Sequence, residues 1–95
     1  MIRILIIEDN PEKLKRIIAF LNNECKVIDE YIDCAGNVQE GYDLLCEKSY
    51  DLLLLDLVLP KNKEDEPSAE SGMQFLDEIH YNPNINIPIH IIGLT

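Results

Sequence analysis

Apolar residues fall along this chain in four short runs, separated by three stretches with the period of a helix. Residues 3–7 supply Ile4, Leu5, Ile6 and Ile7, a β-branched-rich run that predicts a buried strand and ends in Glu8 and Asp9. Asn10-Pro11-Glu12 then carries a helix start: Asn as N-cap, Pro at the first helical position, an acid in the first turn. Leu14, Ile17, Ile18 and Leu21 follow at i, i+3, i+4 and i+7, which predicts an amphipathic helix over 11–23. A polar, edge-like strand is expected within 27–35. After the Gly36-Asn37 turn signal, a second helix is expected over 38–48, with Tyr42, Leu45 and Cys46 on one face. Gly41 weakens that helix by about 1 kcal/mol relative to Ala.

The stretch 50–60, YDLLLLDLVLP, organises the rest. Its four leucines, residues 52–55, have no helical period, and Asp56 and Pro60 close the run, as in a strand buried on both faces of a parallel sheet. Residues 61–71 are charged and lack apolar periodicity, which predicts an exposed loop. Helical pattern resumes at Met73, with Leu76, Ile79 and His80 continuing its face and Ser71 as candidate N-cap; Asn82-Pro83-Asn84 ends it. Residues 87–94 form the fourth strand. Strictly alternating strands and helices call for one α/β domain with a parallel sheet and right-handed crossovers.

The composition, 46% apolar and 27% charged, is that of a globular domain. No stretch approaches the roughly 20 apolar residues of a membrane span, and the N-terminus turns acidic too soon for a signal peptide, so a cytoplasmic location is expected. Cys25, Cys34 and Cys46 are odd in number and lack metal-type spacing, which reads as reduced thiols. A net charge of -10 argues against direct nucleic-acid binding and against anionic membranes, and is compatible with a cation or a basic partner.

Two strands end in carboxylates. Asp56 alone is read equally well as the cap of the next turn; Glu8 and Asp9 alone serve as helix-dipole acids. If the first and third strands are neighbours, however, all three acids converge where open α/β sheets bind ligands. Two such charges 4 Å apart repel by about 4 kcal/mol at an effective dielectric near 20, so a proton or a cation must neutralise the site. An all-oxygen donor set favours Mg²⁺, which keeps waters and recruits a phosphate oxygen. Asp56 is then placed to attack phosphorus, and the Thr95 hydroxyl, at the end of the next strand, to bond a phosphoryl oxygen.

Taken together, ILIIEDN, LLLLDLVLP, SGMQFLDEI and IPIHIIGLT, in that order, resemble the receiver domain of two-component response regulators over the whole chain, residues 1–95. The resemblance implies a flavodoxin-like three-layer α/β fold with a parallel sheet in the order 2-1-3-4. It implies Asp56 as phosphoacceptor and Thr95 as switch hydroxyl. Asp9 and Asp56 would bind Mg²⁺ directly, Glu8 through water, and Val58 through its carbonyl. The implied phosphodonor is a sensor histidine kinase or a phosphotransfer protein. Such a domain is not an enzyme in turnover; it is phosphorylated and dephosphorylated on itself.

Two features depart from the family. The segment between Pro60 and Gly72 is longer than usual. The chain also stops at the fourth strand, without the fifth strand, its phosphate-binding lysine, or the last two helices; Lys61 and Lys63 are poor substitutes. The sequence therefore reads as a C-terminally incomplete receiver. Its fourth strand, with Ile89, Ile91 and Ile92, would be an exposed edge open to pairing with a second copy. The alternative reading is a receiver-like interaction module that is not phosphorylated. A haloacid-dehalogenase-like phosphatase would want an acid at position 58, where Val58 stands.

Overall fold

The computed structural model describes residues 2–94. Its elements are β1 (Ile4–Ile7), α1 (Pro11–Asn23), a 3-10 turn (Asp29–Tyr31), β2 (Ile32–Ala35), α2 (Val38–Glu47), β3 (Leu52–Asp56), α3 (Ala69–Tyr81) and β4 (His90–Leu94). The four strands are parallel in the order β2-β1-β3-β4, as the family resemblance implies. Ile4 pairs with Ile32 on one side and Leu52 on the other.

Strand parity decides what each face carries. Leu5 and Ile7 of β1 and Leu53 and Leu55 of β3 point to one side, where they pack with Leu45 of α2 and Phe75 and Ile79 of α3. Ile4, Ile6 and Leu54 point to the other and pack with Leu21, Leu14, Ile17 and Ile18 of α1. Both faces of β1 and β3 are covered, which is why their sequences are continuous apolar runs. By the same parity Asp56 leaves β3 on the α1 side. Glu8, whose N–H extends the ladder to the Ala35 carbonyl at 3.0 Å, leaves β1 on that side too.

Three expectations need correction. α3 begins at Ala69, not near Met73, and its cap is Ser68, not Ser71: Ser68 Oγ accepts from the N–H groups of Glu70 (3.1 Å) and Ser71 (3.3 Å). Its buried face is Gly72, Phe75 and Ile79, while Met73 and His80 are exposed. The segment after Pro60 is exposed as expected but tied down. Leu59 and Ser68 form an antiparallel bridge, and the carbonyls of Pro60 and Lys61 accept from the first N–H groups of α2, Val38 and Gln39, each at 3.0 Å. β4 starts at His90 instead of residue 87, because Pro88 has no N–H and the ladder opens with the His90 N–H on the Asp51 carbonyl at 3.0 Å. Among the described residues β4 pairs with β3 alone, and Ile89 and Ile92 are exposed whereas Ile91 packs partly on the core. No described helix is long and apolar enough to cross a membrane.

The N-terminal end of the sheet is held by a polar network. Buried Tyr50 donates to Asp33 Oδ2 at 2.6 Å and Lys48 Nζ approaches the same oxygen at 3.2 Å, fastening β2 to the start of β3. Burial pushes the Asp33 carboxyl up, but the Tyr50 and Lys48 hydrogen bonds prevail and hold it below its usual value. Tyr50→Phe leaves that carboxylate short of a donor and is expected to cost about 2 kcal/mol, read as a lower denaturant midpoint with an unchanged m-value.

Candidate functional site

The C-terminal ends of β1 and β3 build the site. Glu8, Asp9 and Asp56 each bring a carboxylate oxygen to within 4.8 Å of the others. These are the three acids that the sequence placed at neighbouring strand ends. Glu8 and Asp56 are buried, and Asp9, in the turn before α1, is partly exposed.

Local hydrogen bonds set the orientation of each group. Asn10 caps α1 by accepting from the N–H groups of Glu12 (3.0 Å) and Lys13 (3.2 Å), so the helix N-terminus opens beside the cluster. The Asn10 N–H in turn donates to Glu8 Oε1 at 3.3 Å. Asp56 Oδ1 accepts the Val58 N–H at 3.0 Å, which fixes the rotation of that carboxylate. Val58 itself lies two residues beyond the strand with its side chain turned to solvent. Thr95 lies outside the described residues.

Glu8 carries the strain of the cluster. Its side chain is only 1% exposed, and its Oε2 accepts no hydrogen bond; the Lys13 ammonium stands 3.6 Å away. Burial, then a hydrogen bond with Asp56 and the charge of Asp56, push the Glu8 carboxyl up to about 7, against the weaker pull of Asn10 and Lys13. A protonated Glu8 supplies its own donor to Asp56. A divalent cation would do the same work with more charge, and three oxygen donors around an unsatisfied buried oxygen suit a hard ion. Lys13 is the site residue that the sequence reading missed. Nothing local separates it from Lys15, and its approach to Glu8 arises from how α1 crosses the sheet.

Comparison with known proteins agrees with this fold. The family model of the response regulator receiver domain matches residues 4–95. The solved structure of the MaeR response regulator bound to beryllium trifluoride superposes with a TM-score of 0.77 at 25% identity, covering 100% of this chain and 67% of that one. An aspartate-to-alanine variant of MaeR bound to sulfate, at 22% identity, shares the fold with a TM-score of 0.72 over 99% of this chain and 66% of its own. An uncharacterised protein of Sinorhizobium fredii, y4jS, is 32% identical over 93 residues, 98% of this chain. The chain spans 22% of that relative's length.

Proposed function

From its membership of the response regulator receiver domain family, to which this chain belongs, we propose that it accepts a phosphoryl group on Asp56 with Mg²⁺ as cofactor. The observation that carries the reading is the convergence of Glu8, Asp9 and Asp56 at the ends of β1 and β3. The donor is a phosphohistidine on a sensor histidine kinase or phosphotransfer protein, and the setting is a cytoplasmic phosphorelay.

In the transfer an Asp56 carboxylate oxygen forms the new O–P bond as the N–P bond to the donor imidazole breaks; the imidazole leaves with the electron pair and takes up a proton. The Val58 N–H on Oδ1 holds the carboxylate in one rotation, so the nucleophile is presented at low entropic cost. Glu8, Asp9 and Asp56 would hold the metal, with the Val58 carbonyl as a further ligand. When bound, Mg²⁺ supplies charge that shields the incoming phosphoryl oxygens from the carboxylates. The chain acts on no external substrate: the phosphoryl group arrives on and leaves from its own aspartate.

Incubation with acetyl phosphate and Mg²⁺, followed by intact mass measurement, tests the reading. A gain of one phosphoryl group is expected, absent in Asp56→Asn and absent with EDTA. No gain in the natural sequence, or a gain that survives Asp56→Asn, sinks the assignment and leaves an unphosphorylated interaction module.

A further inference from the structure

The outer edge of β4 is a strand edge without protection. Strand β4 turns the backbone groups of His90, Ile92 and Leu94 toward β3: the His90 N–H donates to the Asp51 carbonyl at 3.0 Å, and the Leu94 carbonyl accepts the Leu57 N–H at 3.4 Å. The N–H and carbonyl groups of Ile91 and Gly93 therefore point outward, and among the described residues β4 pairs with β3 alone. Edges are commonly blunted by charge or proline, and β2, the opposite edge, carries Asp33. His90–Leu94 contains no acid, lysine, arginine or proline, and Ile92 is half exposed. With a net charge of -10, two copies of this chain repel least across a face without acids. Residues 87–94 contain none, and neither does the apolar groove between α1 and β4, where Ile17, Phe20, Leu54 and Ile92 lie.

We propose that a second copy of this chain covers the edge, its β4 antiparallel to the first about a twofold axis at Ile92, and that the partner's His90 thereby joins the acidic site. Only outward groups can bond across the axis. Pairing Ile91 with the partner's Gly93, and Gly93 with the partner's Ile91, overlaps all five residues of β4, each pair exchanging both of its N–H···O bonds. This register sets the two Ile92 side chains against each other over the α1-side grooves. It lays the partner's Ile91 over Gly93, in a hollow lined by Leu55, Leu57 and Leu76. It also lays the partner's His90 beside Leu94, whose other neighbour is Asp56. By strand parity His90, Leu94 and Asp56 all leave the sheet on the α1 side. At the backbone the partner's His90 then stands two strand spacings, about 10 Å, from Asp56, a gap that an imidazole and a phosphorylated aspartate reach across from either side. The imidazole N–H is a donor for a phosphoryl oxygen, supplied in trans. The pairing stands by itself; the role of His90 rests on the phosphoacceptor reading above.

Sedimentation equilibrium and fluorine NMR test the two parts. The parent chain is expected to be a dimer at the concentrations used for NMR. Ile92→Lys, which opposes two cations at the axis, is expected to be a monomer with unchanged circular dichroism. A monomeric parent, or an Ile92→Lys dimer, overturns the pairing. His90→Ala should remain a dimer. With saturating Mg²⁺ it should bind beryllium trifluoride, whose tetrahedral adduct with a carboxylate oxygen mimics the phosphoryl group, at least fivefold more weakly than the parent. Mixing His90→Ala with Asp56→Asn should restore parent-like affinity, because the mixed dimer sets an intact Asp56 against an intact His90 across the axis. A smaller loss in His90→Ala, or a loss that mixing leaves in place, overturns the role of His90. A dimeric parent that takes no beryllium trifluoride overturns the phosphoacceptor reading and the role of His90 with it, while the pairing stands.

Discussion

Gly72→Ala is expected to destabilise the domain by about 3 kcal/mol or more, the largest effect of any single methyl group added to this fold. Gly72 lies in the first turn of α3, where the helix crosses directly against the backbone of Leu57. A Cβ at this position meets the Leu57 carbonyl oxygen first, then its carbonyl carbon at 2.5 Å and its Cα at 2.9 Å. Those atoms are main chain one residue beyond Asp56, and the Leu57 N–H is bonded to the Leu94 carbonyl at 3.4 Å, so they cannot swing aside as a side-chain tip would. Relief requires moving either α3 or the end of β3. A thermal midpoint lowered by roughly 15 °C is the matching readout for a domain of this size. Gly36→Ala is the control, because its Cβ meets only the tip of Glu40 at 3.9 Å and should shift the midpoint little. Equal midpoints for the two variants would refute the close approach of α3 to Leu57. Any Gly72→Ala protein that does fold should also bind Mg²⁺ more weakly, since displacing Leu57 displaces its neighbour Asp56.

The same glycine explains where the sequence could and could not be read. The central strands β1 and β3 were legible because their apolar runs are buried on both faces, and the first helix because its stripe is complete from Leu14 to Leu21. The start of α3 was not, because Gly72 occupies a buried position without an apolar side chain, so the first turn of the helix shows no hydrophobic signal. Ser68 and Ser71 are both acceptable caps on sequence grounds; the Leu59–Ser68 bridge selects the first. Gly41, which weakens α2 as an isolated helix, is where α2 lies against Ile7: a Cβ would fall 2.5 Å from that side chain. Among site residues, Glu8, Asp9 and Asp56 were legible because strand ends in a parallel sheet converge at one edge. Lys13 was not, since its partner is chosen by the tertiary path of α1. The backbone carbonyls of Pro60 and Lys61 that cap α2 carry no sequence signature at all.

Glu8 makes the stability of the metal-free domain fall as pH rises, against the usual behaviour of a paired carboxylate. Its folded-state value of about 7 lies above the ordinary 4.5, so between those two values the folded chain binds more protons than the unfolded chain. Stability then declines across that window, by up to about 3 kcal/mol, and levels off above pH 7. Asp33 acts in the opposite sense and elsewhere: its value is held below the ordinary 3.8, so its contribution is present above that pH and is lost on acidification through the lower folded-state value. The two therefore separate on the pH axis, with the optimum of the metal-free protein near pH 4 to 5 as far as these groups decide it. Glu8→Gln removes the upper slope, and at pH 8 it should be more stable than the parent by about 2 kcal/mol, because a buried neutral amide replaces a buried charge. With Mg²⁺ in the proposed metal site the order is expected to reverse. A metal that binds only the folded chain adds about 2.7 kcal/mol at a hundred times its Kd, and it does so where Glu8 is ionised. Urea titrations of both proteins at pH 5 and pH 8, with EDTA or with Mg²⁺, separate the terms. A parent chain as stable at pH 8 as at pH 5 without metal would show that Glu8 is solvated and ionised, and would remove the reason for a cation to bind there.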